Sequence, residues 1–179
     1  MKRKILIITG LFIVAIGGYI IFQSVEKKEP NEIQAQDIKK MVYDYSTGNI
    51  EGQTASITSK QLIVNDSIVY KLPENEFFLS IAPYIEETHP CAIHSLTGCQ
   101  GEMTEKEFNV YIDDMDGNVI LDQALKSQSN GFIDLWLPRD KTYRITIEHE
   151  GKLAESEIST YENDNTCITT MQLLEKKGV

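Results

Sequence analysis

Glu107-Phe-Asn-Val-Tyr-Ile-Asp-Asp-Met-Asp-Gly-Asn-Val-Ile-Leu-Asp-Gln-Ala-Leu125 is the stretch that decides the fold. Phe108, Val110 and Ile112 recur at every second residue, the period at which a strand returns its side chains to one face. Asp116-Gly117-Asn118 then supplies turn residues, and Val119 to Leu125 runs back, so the segment is a hairpin. Toward the C-terminus the pattern repeats. Asn130-Gly131 opens a strand from Phe132 to Leu137, closed by Pro138. Tyr143, Ile145 and Ile147 alternate with polar residues, Glu150-Gly151 turns the chain, and Leu153 to Ile158 returns. Cys167 to Leu174 ends the series, and Phe77 to Ile85 adds a strand on the N-terminal side. Strands at this spacing predict a mainly β chain (α+β overall) with an antiparallel β-sandwich over residues 76–175.

Upstream, Ser56 to Val64 and Ile68 to Leu72 flank Asn65-Asp66-Ser67, a second hairpin. Asp37 to Ser46 carries Ile38, Met41, Val42 and Tyr45 at helical spacing, with Gly48 beyond its end. Residues 36–75 are therefore predicted as a small helix-plus-hairpin subdomain. Residues 26–35 are polar around Pro30 and form a linker. At the start of the chain Lys2, Arg3 and Lys4 precede an uncharged run from Ile5 to Phe22. Eighteen helical residues span roughly 27 Å against a hydrocarbon core of about 30 Å, so residues 1–25 are predicted as a transmembrane signal anchor with the remainder outside the cytosol. The alternative is a cleaved signal peptide and a secreted or periplasmic chain; cutting after Ala15-Ile16-Gly17 would leave Gly18 to Phe22 as an apolar stump.

From residue 26 onward, 14 basic side chains stand against 27 acidic ones, a formal charge of −13. A surface of that sign excludes nucleic-acid binding, which needs basic stripes. Asp113 to Asn118 resembles a calcium loop only superficially. With Gly117 at the sixth position, Ile112 and Gln123 fall where carboxylates are needed, so a hairpin turn accounts for it. No Ser/His/Asp motif supports hydrolase chemistry, and the chain is not expected to be an enzyme.

The chemistry concentrates in His89-Pro90-Cys91-Ala92-Ile93-His94, followed by Cys99. Two of the three cysteines and two of the three histidines lie in this one predicted loop, Glu86 to Glu102, with Cys167 distant in sequence. Outside the cytosol cysteines normally pair, so an odd number leaves a reactive thiol or a metal ligand. Thiolates suit Cu(I), Zn(II) and iron–sulfur centres. Cys91, Cys99 and Cys167 would make a trigonal Cu(I) site, and adding His94 gives a Cys3His set that also suits Zn(II). Two other readings stand beside this one. A Cys91–Cys99 disulfide would staple the loop and leave Cys167 as a buried spare, a purely structural module. Thiol chemistry would reduce Cu(II) or Fe(III), or exchange disulfides, although no Cys-x-x-Cys is present. Met171 is expected in the core; Met103, just after the loop, is open between packing and a place behind the sulfurs.

Four ordered blocks carry a resemblance: Leu79-Ser-Ile-Ala-Pro-Tyr-Ile85, Thr88-His-Pro-Cys-Ala-Ile-His-Ser-Leu-Thr-Gly-Cys-Gln-Gly-Glu102, Asn130-Gly-Phe-Ile-Asp-Leu-Trp-Leu-Pro138 and Thr166-Cys-Ile-Thr-Thr-Met-Gln-Leu173. Over residues 36 to 174 the chain resembles the CueP family of extracytoplasmic copper-binding proteins. The resemblance implies copper tolerance outside the cytosol and Cu(I) binding through Cys91, Cys99 and Cys167, with His94 inside the same motif. It also implies a copper-accepting protein such as a periplasmic copper/zinc superoxide dismutase, thiol–disulfide oxidoreductases that keep the thiols reduced, and a homodimer of two-domain protomers. The apparent anchor departs from that pattern and belongs to a cell with one membrane. The expectation is an extracytoplasmic Cu(I)-binding protein that sequesters or relays copper as a metallochaperone.

Overall fold

The computed structural model describes residues 35–176. The anchor predicted over residues 1–25 and the linker up to residue 34 lie outside the described residues. Among the described residues no helix is long and apolar enough to cross a membrane.

Among the described residues one helix, α1 (Ala35–Ser46), precedes twelve strands. It buries Ile38, Val42 and Tyr45 along one stripe, and Gly48 past its end takes a left-handed φ of 76°, as glycine commonly does beyond a helix C-terminus. The predicted hairpin beside it is three strands rather than two: β1 (Ala55–Ile57), β2 (Gln61–Val64) and β3 (Ile68–Lys71). Thr58 breaks what read as a single strand, because its Oγ1 accepts from the amides of Lys60 (3.3 Å) and Gln61 (3.1 Å) and folds the chain back. A two-residue strand, β5 (His94–Ser95), joins the other edge of β1. His94 therefore stands on a strand inside the segment predicted as loop.

The central layer is a sheet of β4 (Glu76–Ile81), β8 (Ile133–Pro138) and β11 (Cys167–Ile168), in the order β11-β4-β8. Its strands alternate between two buried faces. Phe77, Leu79 and Ile81, with Ile133, Leu135 and Leu137, enter the main core. That core is shared with β6 (Glu107–Asp114), β9 (Thr142–His149) and β10 (Lys152–Ser159), through Phe108, Val110, Ile112, Tyr143, Ile145, Ile147, Ala154 and Ile158. With β7 (Val119–Lys126) and β12 (Leu174–Glu175) at its edges, this second sheet runs β12-β10-β9-β6-β7, all antiparallel. On the opposite face of the central sheet, Phe78 and Trp136 meet a separate core of α1, β1 and β2. One strand thus serves two cores, which is why β4 reads as an almost unbroken apolar run.

The Asp113–Asn118 turn forms as expected. Asp114 Oδ1 accepts from the amides of Asp116 (3.1 Å) and Asn118 (2.9 Å), and Gly117 has a φ of 84°. Two predicted strands are shorter than their sequence pattern. Phe77 to Ile85 stops at Ile81 ahead of Pro83, and Cys167 to Leu174 splits into β11 and β12, with only a Tyr84–Gln172 bridge between.

Candidate metal centre

Three connections bring the distant sulfur to the loop. β11 pairs with β4 in parallel, Cys167 opposite Ser80. The amides of Thr166 and Cys167 both donate to the Ala92 carbonyl, at 3.0 and 3.2 Å, beside Cys91. Thr166 Oγ1 accepts from the His94 amide (3.1 Å) and donates to the Ile57 carbonyl (2.7 Å), tying β11, β5 and β1 together. The loop is clamped at both ends. The Glu102 carboxylate accepts from the amides of Ile85 (2.6 Å), Glu86 (3.1 Å) and Glu87 (3.3 Å). Burial pushes this carboxyl upward, but the three donors hold it below the usual glutamate value. Downstream of Cys99, Gly101 donates to the Asn130 carbonyl at 2.7 Å and lies directly against Gly131.

As a result, one donor atom each from Cys91, His94, Cys99 and Cys167 lies within 4.8 Å of the others. The sulfurs of Cys91 and Cys99 are 3.6 Å apart. His94 Nδ1 stands 3.4 Å from the Cys167 sulfur. A soft metal–sulfur bond of about 2.3 Å would space the sulfurs of a trigonal site about 4 Å apart, so these separations are of the right size. Cys167 and His94 are buried, whereas Cys91 and Cys99 are half-exposed. The group therefore has a closed inner side and an open outer one. Ala82 and Phe132 form its apolar wall. His89 is not one of the four. Met171 and Met103 are both in the main core, which resolves the open assignment of Met103 in favour of packing.

The sulfurs are not all free. Cys91 is bonded to Cys167, with a Cα–Cα distance of 5.6 Å, and Cys99 is the remaining thiol. This overturns the alternative reading of a Cys91–Cys99 staple with Cys167 as spare. The pairing follows from tertiary structure, since the Ala92 carbonyl holds the Cys167 backbone beside Cys91 more tightly than any sequence spacing could indicate.

His94 is fully buried between aromatic rings, 4.5 Å from Phe132 and 6.2 Å from Phe78 by centroid. Burial, helped by His89, lowers its pKa to about 4, so the ring is neutral at physiological pH and can offer a lone pair. Its Nε2 lies 3.2 Å from Ser80 Oγ, which donates to Asp134 Oδ1 at 2.5 Å. Ser46 Oγ (2.6 Å) and Gln128 Nε2 (3.1 Å) donate to Asp134 Oδ2. Burial raises the Asp134 pKa, and these three donors oppose the rise. Ser80 and Asp134 do not stand out in the sequence. The available signal was one polar residue inside each of two apolar strands, in Phe77-Phe78-Leu79-Ser80-Ile81 and Ile133-Asp134-Leu135.

Fold and donors together define a class: a β-rich protein in which β5, β11 and the clamped loop bring together a thiol–imidazole cluster able to hold a soft metal ion. The family model described as "Periplasmic copper-binding protein CueP" matches residues 39–172. A solved structure, described as the crystal structure of S.CueP, is similar at a TM-score of 0.71 and 34% sequence identity, covering 88% of this chain and 96% of that one. No curated protein matches. The chain belongs to the CueP family.

Proposed function

We propose that this protein binds Cu(I) outside the cytosol through the thiolates of Cys91, Cys99 and Cys167, with His94 Nδ1 as the neighbouring nitrogen donor, and holds or passes on the ion as a copper-tolerance protein. The convergence of four soft donors from β5, β11 and one clamped loop carries this reading. Membership of a family described as copper-binding supports copper as the ion, although the same donor types would also accept Zn(II). An extracytoplasmic location accords with that description and with the charged, then apolar, start of the chain.

Loading requires the Cys91–Cys167 bond to be reduced, which releases two thiols beside Cys99. Cys91 is the accessible end of that bond, so one thiol of a dithiol oxidoreductase attacks there, buried Cys167 leaves as thiolate, and the oxidoreductase's second thiol resolves the mixed disulfide to free Cys91. Binding needs deprotonated sulfur, so affinity falls in acid. Titration of the reduced full-length chain with Cu(I), in competition with a chelator and without air, tests the site. Cys167→Ser should weaken binding at least about tenfold, since one of the three thiolates is lost and only two remain beside His94; equal affinity would refute the three-sulfur site.

The bonded pair favours a second reading, thiol-driven metal reduction. Two Cu(II) ions would take one electron each from Cys91 and Cys167, giving two Cu(I), the disulfide and two protons. A thiol count that stays at three after anaerobic exposure to Cu(II) would eliminate it.

A further inference from the structure

Ser80 and Asp134 stand directly opposite one another in the β4–β8 register. Both are on the face of the central sheet turned away from the main core, and Ser80 is wholly buried. Their hydrogen bonds have a direction. Asp134 Oδ2 already has two donors, Ser46 and Gln128, and Oδ1 accepts the Ser80 hydroxyl hydrogen. Having donated to an ionised Asp134, Ser80 Oγ can meet His94 Nε2 only as an acceptor, an arrangement that requires the ring hydrogen on Nε2. The unprotonated nitrogen is then Nδ1, the one that faces the Cys167 sulfur.

We propose that Asp134 and Ser80 are positioning residues of the copper site: a polarised chain, Asp134 to Ser80 to His94, fixes the imidazole tautomer so that the Nδ1 lone pair points at the sulfurs. Metal-bound histidines commonly need such a partner on the second ring nitrogen, because it sets both ring orientation and the available lone pair. Here the partner is a serine backed by a carboxylate. Ser46, the last residue of α1, is part of the same network, so the helix end helps hold the metal-facing ring. This inference rests on the Cu(I) reading, with His94 as a donor.

Asp134→Asn gives the sharpest test. The Ser46 and Gln128 donors would claim the amide oxygen, turning the amide nitrogen toward Ser80. Ser80 would then donate to His94 Nε2, and the ring hydrogen would move to Nδ1. Nitrogen-15 NMR of the reduced, metal-free full-length chain, which has three histidines, reads this directly. An Nε2–H tautomer at His94 in the unsubstituted chain and Nδ1–H in Asp134→Asn are the expected results. Cu(I) affinity by chelator competition should fall about 10- to 100-fold in Asp134→Asn and in Ser80→Ala, with Ser80→Thr, which keeps the hydroxyl, close to the unsubstituted chain. An Nδ1–H ring in the unsubstituted chain overturns the proposal even if no variant folds. So does unchanged affinity in folded Ser80→Ala. Cys167→Ser in the same titration separates the two claims: if it weakens binding while Asp134→Asn and Ser80→Ala do not, only the relay fails, and if it binds as the unsubstituted chain does, the three-sulfur site itself fails.

Discussion

A buried imidazole makes His94 a liability in acid, whatever donor role it has in the proposed copper site. In the unfolded chain a histidine titrates near 6.5, whereas in the fold this ring does so at about 4. Between these values the unfolded state binds more protons, so stability is full above about pH 6.5 and is lost as pH falls toward 4. The total loss is about 3 kcal/mol, from the separation of the two pKa values. Urea midpoints measured from pH 7 to pH 4 should show this decline in the unsubstituted protein. In His94→Gln the part due to this ring should vanish; an identical slope in both would mean that His94 is not held neutral. At this scale the grouping of Cys91, His94 and Cys99 was legible beforehand, because cysteine and histidine crowded into one short segment are rare. Ser80 and Asp134 were not, since serine and aspartate are common and their roles arise from a partner across the sheet.

Among the elements, the crossing of two turns decides how accurately the cysteine loop is seated. Gly131 has a φ of 80°, and a Cβ there would fall 2.6 Å from the Gly101 carbonyl oxygen. Left-handed backbone strain and the overlap act together, so Gly131→Ala should destabilise the fold by about 2–4 kcal/mol. Gly117→Ala, where φ is 84° but nothing lies within 4 Å of the added atom, should cost only the backbone part, about 1 kcal/mol. Chemical denaturation of the two variants side by side measures the difference; equal losses would show that the Gly101–Gly131 approach is not tight. The hairpins, the helix and the strand faces were readable from periodicity. Strand β5 was not, because two residues carry no period and its pairing with β1 is made across more than thirty residues of chain.

For the whole molecule, the Cys91–Cys167 bond closes a long covalent loop, joining residues 76 apart. Constraint of the unfolded chain on that scale amounts to about 4 kcal/mol. Reduction should therefore lower the melting temperature by on the order of 10 °C, and Cu(I) should restore much of it by binding the folded state. Thermal scans of the oxidised, reduced and Cu(I)-loaded forms test this, and a reduced form as stable as the oxidised one would contradict it. The Cys91–Cys167 bond thus fastens the C-terminal segment to the loop, and Cu(I) held as proposed would fasten it a second way.

Alternation and turn residues were enough, by themselves, to establish a mainly β chain with one short helix, and residue chemistry was enough to single out Cys91, His94, Cys99 and Cys167. Both are local properties, written in neighbouring positions. Which sulfur bonds to which, and which nitrogen of His94 faces them, depends on the parallel seat of β11 beside β4 and on Ser80 opposite Asp134. Those are contacts between residues far apart along the chain, and only the folded backbone brings them within a hydrogen bond's length.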